Sequence, residues 1–143
     1  MRVSLVHSRL ALAAALTIGA TAAARAAPQH CPARIEVRQT ATDVPAGYQP
    51  FDSEPQHQWT NAQFSEGPPS EQAWLAPDTT GRQGKALVNT WTFVNSPEGI
   101  WLSCGYAGTS IVVARRLPDT IRRCEVRFDM TIAPPAATAI DCR

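Results

Sequence analysis

The chain has 143 residues, 44% hydrophobic and 17% charged, with a formal net charge of +1. That length suits one domain and excludes two comfortable ones. The near-neutral balance excludes a dedicated nucleic-acid binder, which carries a strong basic excess.

Residues 1–26 read as a targeting segment rather than as fold. Arg2 and Arg9, with His7, make a basic start, and an apolar run follows over residues 10–20. Ala24-Arg25-Ala26 then supplies an A-x-A cleavage site before Ala27. This order predicts a secretory signal peptide cleaved near Ala26, its apolar run too short to span a bilayer. Pro28-Gln29-His30 before Cys31 does not suit lipid attachment, and no later segment reads as transmembrane. Removal of residues 1–26 takes Arg2, Arg9 and Arg25 and no acid, leaving 10 basic against 12 acidic groups, or −2. A single exported β domain over residues 27–143, periplasmic or secreted, is the expectation.

All four cysteines, Cys31, Cys104, Cys124 and Cys142, follow the cleavage site. An even number in a small exported chain implies two disulfides. No C-x-x-C spacing occurs and His30 and His57 are not placed as partners, so neither a metal nor another cofactor is expected.

In chain order, Cys31, Ala33, Ile35 and Val37 alternate with Arg34, Glu36 and Arg38, the pattern of a half-buried strand. Residues 40–54 carry Pro45, Gly47 and Pro50 and read as loop. A second strand is predicted over about 58–65, anchored by Trp59 and Phe64, although its period is imperfect. Glu66-Gly67-Pro68-Pro69 stops it, because proline removes ladder donors. Ser70 then caps a brief helix over residues 71–75. Residues 79–85, TTGRQGK, read as the most mobile loop.

Residues 86–94, rich in β-branched and aromatic side chains, predict a strand. Turns at residues 95–99, 107–108 and 118–119 separate it from strands at 100–106, 109–117 and 121–130. The last has the cleanest alternation: Cys124, Val126, Phe128 and Met130 against Arg123, Glu125, Arg127 and Asp129. Pro134-Pro135 breaks it, and the chain closes with Ile140 and Cys142 in phase. Four successive strands joined by short turns suggest an antiparallel meander. The fold class expected is all-β, a small antiparallel sandwich or partly closed barrel with one short helical turn. Three cysteine connectivities are open. The meander favours Cys104–Cys124, with Cys31–Cys142 joining the ends, worth about 3 and about 4.5 kcal/mol in the chain-entropy picture.

The order C-P-x-x-I-x-V, then F-x-x-G-P-P-x-E-x-x-x-L-x-P-D, W-x-F, W-L-x-C-x-Y-x-G-T and a final D-C-R runs through the chain. It is carried by Cys31, Pro32, Ile35 and Val37, by Phe64, Gly67, Pro68, Pro69, Glu71, Leu75, Pro77 and Asp78, and by Trp91 and Phe93. Trp101, Leu102, Cys104, Tyr106, Gly108, Thr109, Cys124, Asp141, Cys142 and Arg143 complete it, and Glu66 supplies an acidic residue before Gly-Pro-Pro. This pattern resembles the STY-locus family of small exported, disulfide-bonded proteobacterial proteins, a group without an assigned function. The resemblance implies export, disulfides and one domain, and no catalytic residue.

Chemistry has little support in the residues. Four bridged cysteines leave no thiol nucleophile, and no G-x-S-x-G occurs. His57 with Glu66 or Glu71, or Glu66 and Glu71 as a glycosidase-like carboxylate pair, is the acid–base chemistry on offer for a small hydrolase, but His57 is expected as an exposed loop histidine and the two acids as solvated turn residues. Binding fits better. The Gly67-Pro68-Pro69 turn, flanked by Glu66 and Glu71, is pre-organised and so costs little entropy to dock. Arg123 and Arg127 share one polar strand face with Glu125 and Asp129 and suit an anionic partner. Trp101 opposes Leu102 and Cys104 in phase, so it is core if a second sheet covers that face. The expected function is a non-catalytic protein that binds an envelope or secreted protein, inhibitor- or immunity-like. The alternative is an envelope-structural or carbohydrate-associated module using its tryptophans.

Overall fold

Residues 29–143 are described in the computed structural model; the expected signal peptide lies outside them. The organising strand is β2, Gln56–Glu66. Its register against the neighbouring strand shifts between Trp59 and Asn61, a one-residue bulge. That bulge explains the imperfect period. His57 and Trp59 stand at odd positions and Ala62 and Phe64 at even ones, yet all four turn to the core because the extra residue reverses the phase.

Two antiparallel sheets result. The first runs β1 (Arg34–Glu36), β2, β6 (Ile100–Tyr106) and β7 (Val112–Arg116), with the two-residue β3 (Trp74–Leu75) also on β2. The second runs β4 (Thr79–Gln83), β5 (Ala86–Thr92), β8 (Arg123–Asp129) and β9 (Ala136–Cys142). Phe64 of the first sheet meets Trp91 edge-on at 4.9 Å between centroids and Phe93 at 5.2 Å, joining the sheets at their centre. The Trp91 indole donates to the Leu75 carbonyl oxygen at 2.9 Å. β9 comes alongside β2, so the sandwich curls toward a half-barrel on that side.

The all-β class is as expected, but the continuous meander is not formed. β6 and β7 make a hairpin in one sheet, while β5 and β8 pair in the other. The connections over residues 93–99 and 117–122 therefore cross between sheets. Phe93, Leu117 and Ile121 are buried in these crossings, and filling the space between the sheets is what diverts the chain.

The cysteine pairing is corrected with it. Cys31 bonds Cys104 and Cys124 bonds Cys142, in place of Cys104–Cys124 and Cys31–Cys142. Cys104 and Cys124 stand in different sheets, whereas Cys124 and Cys142 are direct cross-strand partners with Cα atoms 4.1 Å apart. The Cys31–Cys104 bridge pins the lead-in to β6, beside the Tyr106 hydroxyl donating to the Pro32 carbonyl oxygen at 3.0 Å.

Two further expectations change. The brief helix is a 3-10 turn over Pro69–Glu71, with Trp74 and Leu75 pairing with β2. The expected loop at residues 79–85 is the edge strand β4 and its turn into β5; its polarity reflects exposure along its whole length.

Candidate functional site

The end of the molecule where β2 stops carries the predicted turn. Glu66 is opposite Ile100, the first residue of β6. Gly67 takes φ +76°, a left-handed value that glycine adopts without a Cβ penalty. Its N–H donates to the Gly99 carbonyl oxygen at 2.9 Å, and its own carbonyl accepts from the Ser65 hydroxyl at 2.9 Å. The Glu71 N–H then donates to Pro68 O at 2.9 Å and that of Gln72 to Pro69 O at 3.1 Å. Glu66 N–H to Ala73 O, at 3.0 Å, closes the base of the excursion. Residues 67–72 therefore form a pinned projection.

Its charge is acidic. A Cβ built on Gly67 would stand 2.6 Å from Glu71 Oε2 and 3.5 Å from the Glu98 Cβ, so both acids crowd this glycine. Glu66 Oε1 accepts from the Ser96 hydroxyl at 2.6 Å. Glu66, Glu71 and Glu98 are all exposed, and none is ion-paired. Ser96 and Glu98 escaped the sequence reading. They sit 30 and more residues downstream, and only the crossing between sheets brings them here.

A shallow cleft of about 320 Å³ adjoins the turn between the two crossing loops, with Val94, Ser96, Gly99, Leu117 and Arg122 in its walls. Val94 is 83% exposed, an apolar side chain open at this end.

The two predicted arginines are not brought together with the turn. Arg123 opens β8 at the same end but on the other sheet, and its guanidinium is held on Glu125 Oε1 at 2.8 and 3.3 Å. That hydrogen bond, more than the added field of Arg143 and Arg127, draws the Glu125 carboxyl below its ordinary range despite some desolvation. Arg127 stands four residues further on, about 13 Å along the strand, and donates to Gln83 Oε1 at 2.8 Å. Arg116 pairs with Asp119 at 2.9 Å, and Arg122 donates to the carbonyl oxygens of Asp119 and Ile121. The arginine-rich stretch is thus largely engaged with its own sheet and loops.

The hydrolase set is not assembled. His57 lies on β2, buried rather than exposed in a loop, because the bulge turns it inward. It stands nine residues from Glu66, about 30 Å along the strand. Among the described residues no three His, Cys, Asp or Glu side chains converge on a metal position, and no helix is long and apolar enough to cross a membrane. Of the tryptophans, Trp59 and Trp91 pack with the core, Trp101 is half-buried on the face away from the second sheet, and Trp74 is 41% exposed.

A disulfide-braced sandwich that projects a pinned turn has the build of a protein that acts through its surface. Comparison with known proteins makes this specific. Residues 53–143 match the Type VI secretion system Tli immunity protein family, and the chain belongs to that family. It is an immunity-type protein that works by binding another protein. A relative from Azospirillum brasilense, described as an uncharacterized 16.3 kDa protein in the trpG 5' region, is 34% identical over 119 residues, covering 78% of this chain and 79% of the relative. No solved structure matches.

Proposed function

We propose that the chain is exported by residues 1–26, folds in the periplasm with its two disulfides, and neutralises a type VI secretion effector by seating the 66–71 projection on it. The family membership and the two bridges support an oxidising location. The observation that carries the choice of surface is the pinning of residues 67–72, since a pre-ordered loop docks without a large ordering cost. Three unpaired carboxylates around Gly67 specify a basic patch on the effector.

The test is to recover the effector on the immobilised chain from periplasmic extract and then measure its binding curve. Glu71→Lys reverses an exposed charge without straining the backbone, and about a tenfold or greater loss of affinity is expected, at least 1.4 kcal/mol. Gly67→Arg adds both bulk and a positive charge at a left-handed residue, and should abolish binding while both disulfides persist. Unchanged affinity in both variants removes the turn from the interface. The carbohydrate-associated reading rests on Trp74, the most open tryptophan. Saturable quenching of its fluorescence by peptidoglycan fragments, lost in Trp74→Ala, is the result that would favour it.

A further inference from the structure

The opposite end of β2 holds a second, concave feature. His57, the second residue of the strand, is 5% exposed. Its Nδ1 lies 2.7 Å from the Ala107 carbonyl oxygen. A carbonyl only accepts, so Nδ1 carries the proton, and in the neutral ring Nε2 is left as an acceptor. Nε2 is buried and has no hydrogen-bond partner. The Nδ1–Cε1 edge of the ring lies under Gly108: a Cβ there would stand 3.3 Å from Nδ1 and 3.6 Å from Cε1.

Residues 39–41 and 50–54 form the facing wall of a groove of about 650 Å³ at this point. The wall is tied to the sheet. Val37 N–H donates to Pro55 O at 2.8 Å, Gln39 N–H to Asp52 Oδ2 at 3.0 Å, and the Gln39 side-chain amide to Gly108 O at 3.2 Å. Phe51, Asp52, Glu54 and His57 line the groove, and no lysine or arginine does. Phe51 is 83% exposed, so its ring has an open face.

We propose that this groove receives an arginine side chain of the protein partner. Asp52 and Glu54 supply the negative field, and the Phe51 ring offers a face on which a guanidinium stacks. A lysine ammonium has no plane to stack and sheds its water less readily, and an acidic side chain would be repelled. The proposal rests on the chain binding a protein but not on the Gly67 turn, which lies at the other end of β2. The groove is also built from two sources. Glu54, His57 and Gly108 fall within the stretch matched to the family, while Gln39 to Asp52 precede it.

The test titrates the whole exported chain with N-acetylarginine amide and reads the Gly108 amide and His57 ring signals by nuclear magnetic resonance. N-acetyllysine amide and N-acetylglutamine amide serve as comparisons. Saturable movement of both signals with the arginine probe is expected, at least fivefold weaker with lysine and absent with glutamine. Asp52→Asn with Glu54→Gln should weaken the arginine response at least tenfold. Asn keeps an acceptor for the Gln39 N–H, and a dispersed spectrum confirms the fold. Glu71→Lys should leave the titration unchanged, which separates this site from the turn. An unsaturated response, an equal response to glutamine or lysine, or an unaltered response in the double variant overturns the proposal.

Discussion

The two ends of β2 are built by opposite means from one strand. At Glu66 the chain leaves the sheet in a tight excursion, and two of the three connections between sheets, residues 93–99 and 117–122, gather beside it. The result is a projection that bears three exposed carboxylates and is fixed mainly by backbone hydrogen bonds. At His57 the β6–β7 hairpin turn meets a long loop, and the result is concave, walled by Phe51, Asp52 and Glu54 over a buried imidazole. What differs is not the strand but the connections that each end collects. Crossings between sheets consume apolar residues and draw the chain tight; hairpins leave room that a long loop can wall.

The largest expected effect falls on both ends together. Phe64→Ala empties the contact that joins the sheets through Trp91 and Phe93, and should cost about 3 to 5 kcal/mol in denaturant unfolding. Binding at the turn and at the groove should then weaken in parallel; loss at one end alone would show that the ends do not share a scaffold.

The disulfides divide the ends more finely. With partners 73 and 18 positions apart in sequence, removing Cys31–Cys104 should cost roughly 4 kcal/mol and removing Cys124–Cys142 roughly 3 in the chain-entropy picture. Paired Cys→Ser variants followed by denaturant titration test that order. The first bridge holds the lead-in against Tyr106, next to the Ala107 carbonyl that His57 grips, so its loss should disturb the groove more than the turn. Non-reducing peptide mapping should recover fragments joining Cys31 to Cys104.

Gly108→Ala is smaller. The residue has φ +73°, and a Cβ there costs about 1 to 2 kcal/mol while pressing on the His57 ring. Thermal unfolding should show the loss, and affinity at the turn should be unaffected.

The smallest effect is pH-dependent and lies with Arg123. Glu125 has a folded-state pKa below its unfolded one, so its pairing stabilises the chain above the ordinary glutamate range. That contribution fades as pH falls through the depressed folded value. Wild type should therefore exceed Glu125→Gln in stability at neutral pH, and the gap should close in acid; a gap constant with pH would mean that the carboxylate charge is not what holds Arg123.

Much of the fold was legible in side-chain alternation. Cys124 and Val126 are fully buried, with Phe128 half-buried beyond them, as the period of residues 121–130 predicts. The turn at Gly67-Pro68-Pro69 was legible from proline and glycine chemistry, and it belongs to the stretch matched to the family. Other features were hidden for definite reasons. β4 carries no apolar residue because it is an exposed edge, so its pairing with β5 left no hydrophobic trace. His57 looked like a loop residue because a bulge two residues later reverses the strand's phase. The acids around Gly67 include Glu98, which no local spacing connects to it.

Local chemistry alone determined the strand class, the export-type cysteine content and the turn, because each depends on residues near one another in the chain. The tertiary structure decided which strands share a sheet, how the cysteines pair and which charges remain free. These depend on the crossings between sheets, and those over residues 93–99 and 117–122 are set by the burial of Phe93, Leu117 and Ile121 between layers that form only when the whole chain packs.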